Sequence, residues 1–198
     1  WVNFGRESAV ARKQPDSSYR VEAQPFLRFS GFQTSVIYPE ADGVVWFGGR
    51  DGLIRYDPGL HKTYAADFSA LIRRVVVNDG RQIFSGGSAA AGAAPALKYE
   101  NNALRFEFAA PSFDDESANQ FQHMLEGLDA GWSGWSKEGD RDVTNLGSGS
   151  YRFRVRARNL YGQVSGEAAY AFTILPPWYL TSWAFALSQQ AHHGLAIA

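Results

Sequence analysis

The sequence predicts an all-β protein, and three observations carry that expectation. From Tyr151 to Arg158 the chain reads YRFRVRAR, with Tyr151, Phe153, Val155 and Ala157 on one side and Arg152, Arg154, Arg156 and Arg158 on the other. Side chains of a strand point to opposite faces with period two, so one face belongs to a core and the other to solvent. Aromatic residues make up 15% of the 198, with fourteen Phe, nine Tyr and six Trp, a bias that favours strands over helices. Short apolar runs also recur between turn signals built from glycine, proline, asparagine and aspartate.

Length and composition bound the rest. A chain of 198 residues is enough for one domain of ordinary size and part of another, and 45% hydrophobic residues supply a core. The formal net charge is −1, so no bulk field draws a nucleic-acid partner. Cysteine is absent, which excludes disulfides, thiolate metal sites and a cysteine nucleophile. The chain opens on Trp1 with no signal peptide and reads as a piece cut from a longer protein.

In chain order, residues 1–20 are polar and weakly patterned, with Gln14, Pro15 and Asp16 marking a loop. Then come Val36 to Tyr38, a turn at Pro39 to Gly43, Val44 to Phe47, a glycine turn at Gly48 to Gly52, and Leu53 to Tyr56. Short strands joined by tight glycine turns make a meander. Leu71 to Val77 is the next strand, with two exposed arginines, and Asn78-Asp79-Gly80 is its hairpin turn. Gly86 to Ala96 is a small-residue loop. It lacks the Lys-Ser/Thr ending that a phosphate cradle requires.

Leu104, Phe106 and Phe108 then alternate with Arg105 and Glu107. Phe121, His123 and Leu125 face one way, Gln122, Met124 and Glu126 the other. Short turns at Gly127 and Gly131 flank Asp129, and Trp132-Ser133-Gly134-Trp135-Ser136 follows. A short strand is expected at Val143 and Thr144, and the last strand puts Tyr170, Phe172 and Ile174 inward. About seven strands over roughly one hundred residues suit a two-sheet sandwich.

The residues carry resemblances. Leu146, Tyr151, Val155, Ala157, Asn159, Gly162 and Ser165 resemble the F strand and F–G turn of a fibronectin type III or immunoglobulin-like sandwich. That resemblance implies a tyrosine corner at Tyr151, its hydroxyl bonded to upstream backbone. ADGVVWFGGRDGLIRYDP, Ala41 to Pro58, resembles one repeat of a two-component regulator propeller. NNALRFEFAAPSFDDESANQFQHMLEGLDAGWSGWS, VTNLGSGSYRFRVRARN and ILPPWYLTSWA are similar, in order and spacing, to the Y_Y_Y domain that follows sensor propellers in membrane-bound bacterial regulators. This likeness runs from Phe68 to Ala184 and departs at Phe121 and His123, where tyrosines would be expected. It implies three regions: a partial propeller at 1–67, a sandwich at 68–177 and a juxtamembrane aromatic tail at 178–198.

Candidate sites are few. Arg152, Arg154, Arg156 and Arg158 repel one another unless Glu107, Glu126 or the faces of Trp132 and Trp135 intervene. The ladder is therefore a structural Trp–Arg stack, a solvated face or a partner-binding surface. Trp-Ser-x-Trp-Ser resembles the cytokine-receptor motif, but here it precedes the arginine strand. His123 reads as a core histidine, and His192 and His193, being adjacent, make no shared metal site. Asp114, Asp115 and Glu116 could ligate calcium, but their spacing fits no calcium loop. Gly131 to Trp135 lacks the final glycine of a nucleophile elbow. No cofactor and no catalytic group is called for.

The expected function is that of a non-enzymatic, periplasmic module of an inner-membrane sensor. It would relay ligand state from a propeller to a membrane segment beyond the C-terminus. The resemblance implies a histidine kinase or diguanylate cyclase parent, a homodimer and a carbohydrate ligand bound mainly outside this stretch. Trp178, Tyr179 and Trp183 suit an aromatic belt, although the apolar run stops short of a span at Ser188. The competing expectation is an accessory sandwich of a secreted hydrolase, binding polysaccharide through exposed Trp132 and Trp135.

Overall fold

Alternating apolar and polar residues form strands almost everywhere that a computed structural model describes the chain, which is residues 2–4, 7–60, 62–64, 67–86 and 94–180. Helical structure among these residues is confined to short 3₁₀ turns at Gln24–Phe29, Glu116–Ala118 and Trp178–Leu180. The chain divides into two compact units. The first is Trp1–Asp67 with the loops Phe113–Glu116 and Asn159–Gln163, and the second is the remainder.

In the first unit, β1 (Val2–Phe4), β2 (Glu7–Lys13) and β3 (Tyr19–Glu22) form an antiparallel sheet in that order. The loop expected at Gln14 to Asp16 is the turn Gln14–Ser18, and the weakly patterned residues on either side of it are paired strands. Their stability comes from cross-strand bonding and from the few inward apolar residues such as Val10, too sparse a signal to see in the sequence. A second antiparallel sheet follows: β4 (Thr34–Pro39), β5 (Val45–Gly49) and β6 (Gly52–Tyr56).

Register decides the faces of this second sheet. Ile37, Phe47 and Ile54 stand opposite one another on one face, with Val45 and Tyr56 beside them. This face joins the core containing Val10 and Phe26, where the Phe26 ring lies 5.4 Å from Phe47 and 5.0 Å from Tyr56. The other face carries Val36, Tyr38 and Leu53, all exposed, around Trp46. Among the described residues the meander has three strands rather than the four of a full propeller blade.

The second unit is a two-layer sandwich. One sheet has the order β12-β10-β7-β8, from Asp140–Val143, Leu104–Ala109, Leu71–Val77 and Gln82–Phe84. The other has the order β11-β13-β14-β9, from Gln120–Glu126, Gly149–Arg158, Ala168–Ile174 and Ala96–Leu97. The two-residue β9 runs parallel to the end of β14 and was invisible in the sequence. The strand expected at Val143 and Thr144 is β12, which starts earlier because Asp140 to Val143 pair with Leu104 to Glu107.

Inward residues of both layers make one core. Phe106, Leu125, Phe153, Val155 and Ile174 are fully buried, and Phe106 stacks on Phe153 across the layers at 4.1 Å and 10°. Burial of such side chains contributes about 1.5–3 kcal/mol each and is the main force holding the sheets together. The chain enters the unit clamped to β14's lead-in: Gly166 donates to the Phe68 carbonyl at 2.8 Å, and Ala70 donates to that of Gly166 at 3.0 Å. Of the tail, only Trp178 to Leu180 is described; Trp183, His192 and His193 lie outside the described residues, as does most of the Gly86 to Ala96 loop.

Candidate functional site

Strict alternation along β13 puts Phe153, Val155 and Ala157 in the core and forces the arginines to the outer face. The segment after Asp129 runs back along the edge of β11. Phe121 and Ser136 exchange backbone hydrogen bonds of 2.6 and 3.0 Å, and Ser133 donates to the His123 carbonyl. That pairing holds Trp132 and Trp135 over the β13 arginines.

Cations and rings then interleave. Trp132 lies 5.3 Å from Arg154 and 4.4 Å from Arg156, while Trp135 lies 5.8 Å from Arg156 and 4.4 Å from Arg158. A guanidinium over an aromatic face is attracted by the ring quadrupole, so each ring separates two like charges. Side chains of β11, brought opposite β13 by the register, take the remaining donors. Arg156 donates to the Gln122 Oε1 at 2.7 and 2.9 Å, and Arg158 donates to Gln120. Arg154 pairs with Glu126 at 2.7 Å and also with Glu167.

Three expectations about this face change. Arg152 is exposed and contacts neither tryptophan, so the stack has three arginines. Glu107 lies on the opposite sheet, bonded to Arg74 at 3.0 Å and 3.7 Å from Arg105, because β10 belongs to the other layer. Trp132 and Trp135 are half-buried rather than exposed, with guanidinium groups over their rings. A sugar-binding aromatic platform needs an open ring face, and the arginines take that position.

Tyr151 stands at the start of the same strand and donates its hydroxyl to the Gly147 carbonyl at 3.0 Å, four residues upstream. Its ring stacks on Phe172 at 5.4 Å. Gly127 sits beside it at φ 98°, and a Cβ there would come within 2.9 Å of the Tyr151 ring.

A polar cluster that the sequence did not reveal lies behind the turn after β11. Arg141 donates two hydrogen bonds to Asp129, at 2.6 and 2.8 Å, and lies 3.1 Å from His123 Nδ1. The same Asp129 accepts from the Leu125 amide at 2.6 Å, closing the turn. Arg141's hydrogen bonds hold the Asp129 carboxyl below its ordinary range. Burial, reinforced by the Arg141 cation, lowers the pKa of His123 against a smaller opposing pull from Asp129. The only signal available was the opposite charge of two residues twelve apart, which no periodicity connects.

The Ser133 hydroxyl accepts from the His123 amide and donates to the Gly134 carbonyl, so it is a structural serine. Asp114 is paired with Lys62. Among the described residues no three histidine or acidic side chains converge as metal ligands.

Solved structures similar to this chain include the extracellular domain of BT3049, described as a hybrid two component system, from B. thetaiotaomicron, at 16% identity and a TM-score of 0.58. That match covers 87% of this chain and 24% of the other. The extracellular domain of BT4673 from B. thetaiotaomicron is similar at 22% identity and a TM-score of 0.49, covering 83% of this chain and 22% of the other. The chain therefore spans about a quarter of the length of these structures. No curated protein matches the sequence. Residues 112–175, which hold the tryptophan segment, the arginine strand and all of β14, match the family model described as the Y_Y_Y domain.

Proposed function

We propose that this chain is the membrane-proximal part of the extracytoplasmic region of a bacterial transmembrane sensor. In that reading, a propeller responds to a ligand and the sandwich passes the response toward the membrane. The family match over 112–175 carries the reading, and the fold shared with a two-component sensor's extracellular domain supports it. The parent's output, a histidine kinase or diguanylate cyclase activity, lies outside this chain, as does the greater part of any carbohydrate-binding surface. The module itself performs no catalysis and relays as a homodimer.

Two structural features favour this reading over an isolated sandwich. The meander β4–β6 carries apolar side chains on both faces, with Arg55 beside Trp46 on the outer one, and a sheet of that kind is stable when another sheet covers each side, as between propeller blades. Its exposed Val36, Tyr38 and Leu53 would meet a further blade of the parent protein. The second feature is the route through the sandwich. The entering chain at Phe68–Ala70 is fastened to Gly166, β14 runs the height of the sheet, and Leu175-Pro176-Pro177 follows. Packed cores transmit displacement because they have little free volume to absorb it.

The test uses the complete receptor with a reporter of its output. Gly166→Val would press a side chain against Ser69, 2.7 Å from where a Cβ would lie, and loosen the clamp. Retained ligand binding with lost or ligand-independent output supports the relay. Unchanged signalling by a folded variant overturns it.

A further inference from the structure

The end of the sandwich from which Trp178 emerges is built differently from its sides. Leu175, Trp178 and Tyr179 are 42%, 69% and 55% exposed, and they border a groove of about 580 Å³ whose opposite wall is Lys98, Tyr99 and Glu100. Trp178 and Tyr179 pack edge to face at 5.9 Å, presenting both rings to solvent as one body. Leu128, also exposed, lies at this same end, in the turn that follows β11 where β13 begins. The charged side chains beside the groove are paired: Lys98 lies 3.7 Å from Glu100, and Arg81 lies 3.6 Å from Asp79.

We infer that this end of the sandwich rests on the phospholipid interface, with Leu175, Trp178 and Tyr179 immersed and the Lys98–Glu100 turn at headgroup level. The inference deepens the sensor reading above and rests on it. Its warrant is chemical. Tryptophan and tyrosine join an apolar ring to a polar tip, the combination that settles where hydrocarbon meets water. The sequence from Thr181 to Leu187, TSWAFAL, continues in the same apolar and aromatic character. Balanced charge makes the contact hydrophobic rather than electrostatic, so it should require no anionic lipid and should survive high salt. Leu175-Pro176-Pro177 joins β14 to Trp178, so the contact would seat the strand end against the bilayer surface.

The chain has no cysteine, so Glu100→Cys gives a single attachment point for an environment-sensitive fluorophore. This position is far from the tail in sequence yet lines the groove. With phosphatidylcholine vesicles the label should shift to the blue and brighten, equally in high salt. Trp178→Ser with Tyr179→Ser in that background should weaken vesicle binding by about tenfold or more, in line with losing two partly buried aromatics. Vesicle binding with a label that stays wet would show that the tail alone inserts. That outcome overturns the seated end while leaving the sensor reading intact. A blue shift that depends on protein concentration without vesicles would mean that a second copy occupies the groove, and would also overturn it. Absence of any vesicle binding counts against lipid contact altogether, whereas the Gly166→Val experiment judges the relay independently.

Discussion

The Arg141 guanidinium grips the Asp129 carboxylate through two hydrogen bonds of 2.6 and 2.8 Å, with both side chains about four-fifths covered. Removing one member leaves the other largely covered and without its counter-charge, and the unmade interaction costs more than the bond itself was worth. Arg141→Leu should therefore destabilise the sandwich by about 2–3 kcal/mol. Urea unfolding measures it. The double variant with Asp129→Asn should recover part of the loss, because no bare carboxylate remains.

The same cluster predicts a two-step acid response. Burial and Arg141 lower the folded pKa of His123, so the unfolded chain takes up the proton first. Stability should fall as pH drops through about 6.5 and level off below the folded value. Asp129 has a lowered pKa as well, so its contribution is present above about pH 4 and is lost as pH falls through the folded value. His123→Phe should abolish the first step and keep the second. Urea midpoints measured across that pH range decide the point.

Trp132 separates Arg154 from Arg156, and its removal should cost about 2 kcal/mol: two cation–π contacts of about 0.5–1 kcal/mol each plus lost burial. Arg156→Lys keeps the charge but loses the plane that stacks, so it should be destabilising by about 1 kcal/mol. A double-mutant cycle of Trp132→Ala with Arg156→Lys should show coupling. Arg152→Ala, outside the stack, should be close to neutral.

Tyr151→Phe deletes the bond to the Gly147 carbonyl and should cost about 0.5–1.5 kcal/mol with no change in fold. Gly127→Ala should cost more, about 1–3 kcal/mol, because it combines a left-handed backbone with a methyl against the Tyr151 ring. Thermal unfolding of the two variants would rank them, and the reverse order would mean that the turn relaxes away from the ring.

The strands that were legible share one property: a core face strong enough to show as alternation. The β13 pattern from Tyr151 to Ala157 and the β10 pattern from Leu104 to Phe108 are of that kind. Strands β1 to β3 show no such pattern, because hydrogen bonding to neighbours, rather than a continuous apolar face, holds them extended. The parallel β9 has two residues and no periodicity to detect.

By itself the sequence determined which residues must turn inward, because water rejects Phe, Val and Leu wherever the chain places them, and it marked the tryptophans and arginines as candidates. Only the tertiary structure decided which cation meets which ring. Cross-strand register sets Gln122 opposite Arg156 and Gln120 opposite Arg158, and the edge pairing of Ser133 and Ser136 lays the indoles between them. It likewise sent Glu107 to the far sheet and joined Arg141 to Asp129. Hydrophobic burial is non-directional and so leaves a trace in composition and spacing, whereas a guanidinium stack or an ion pair depends on ångström-scale placement that exists only once the layers have closed.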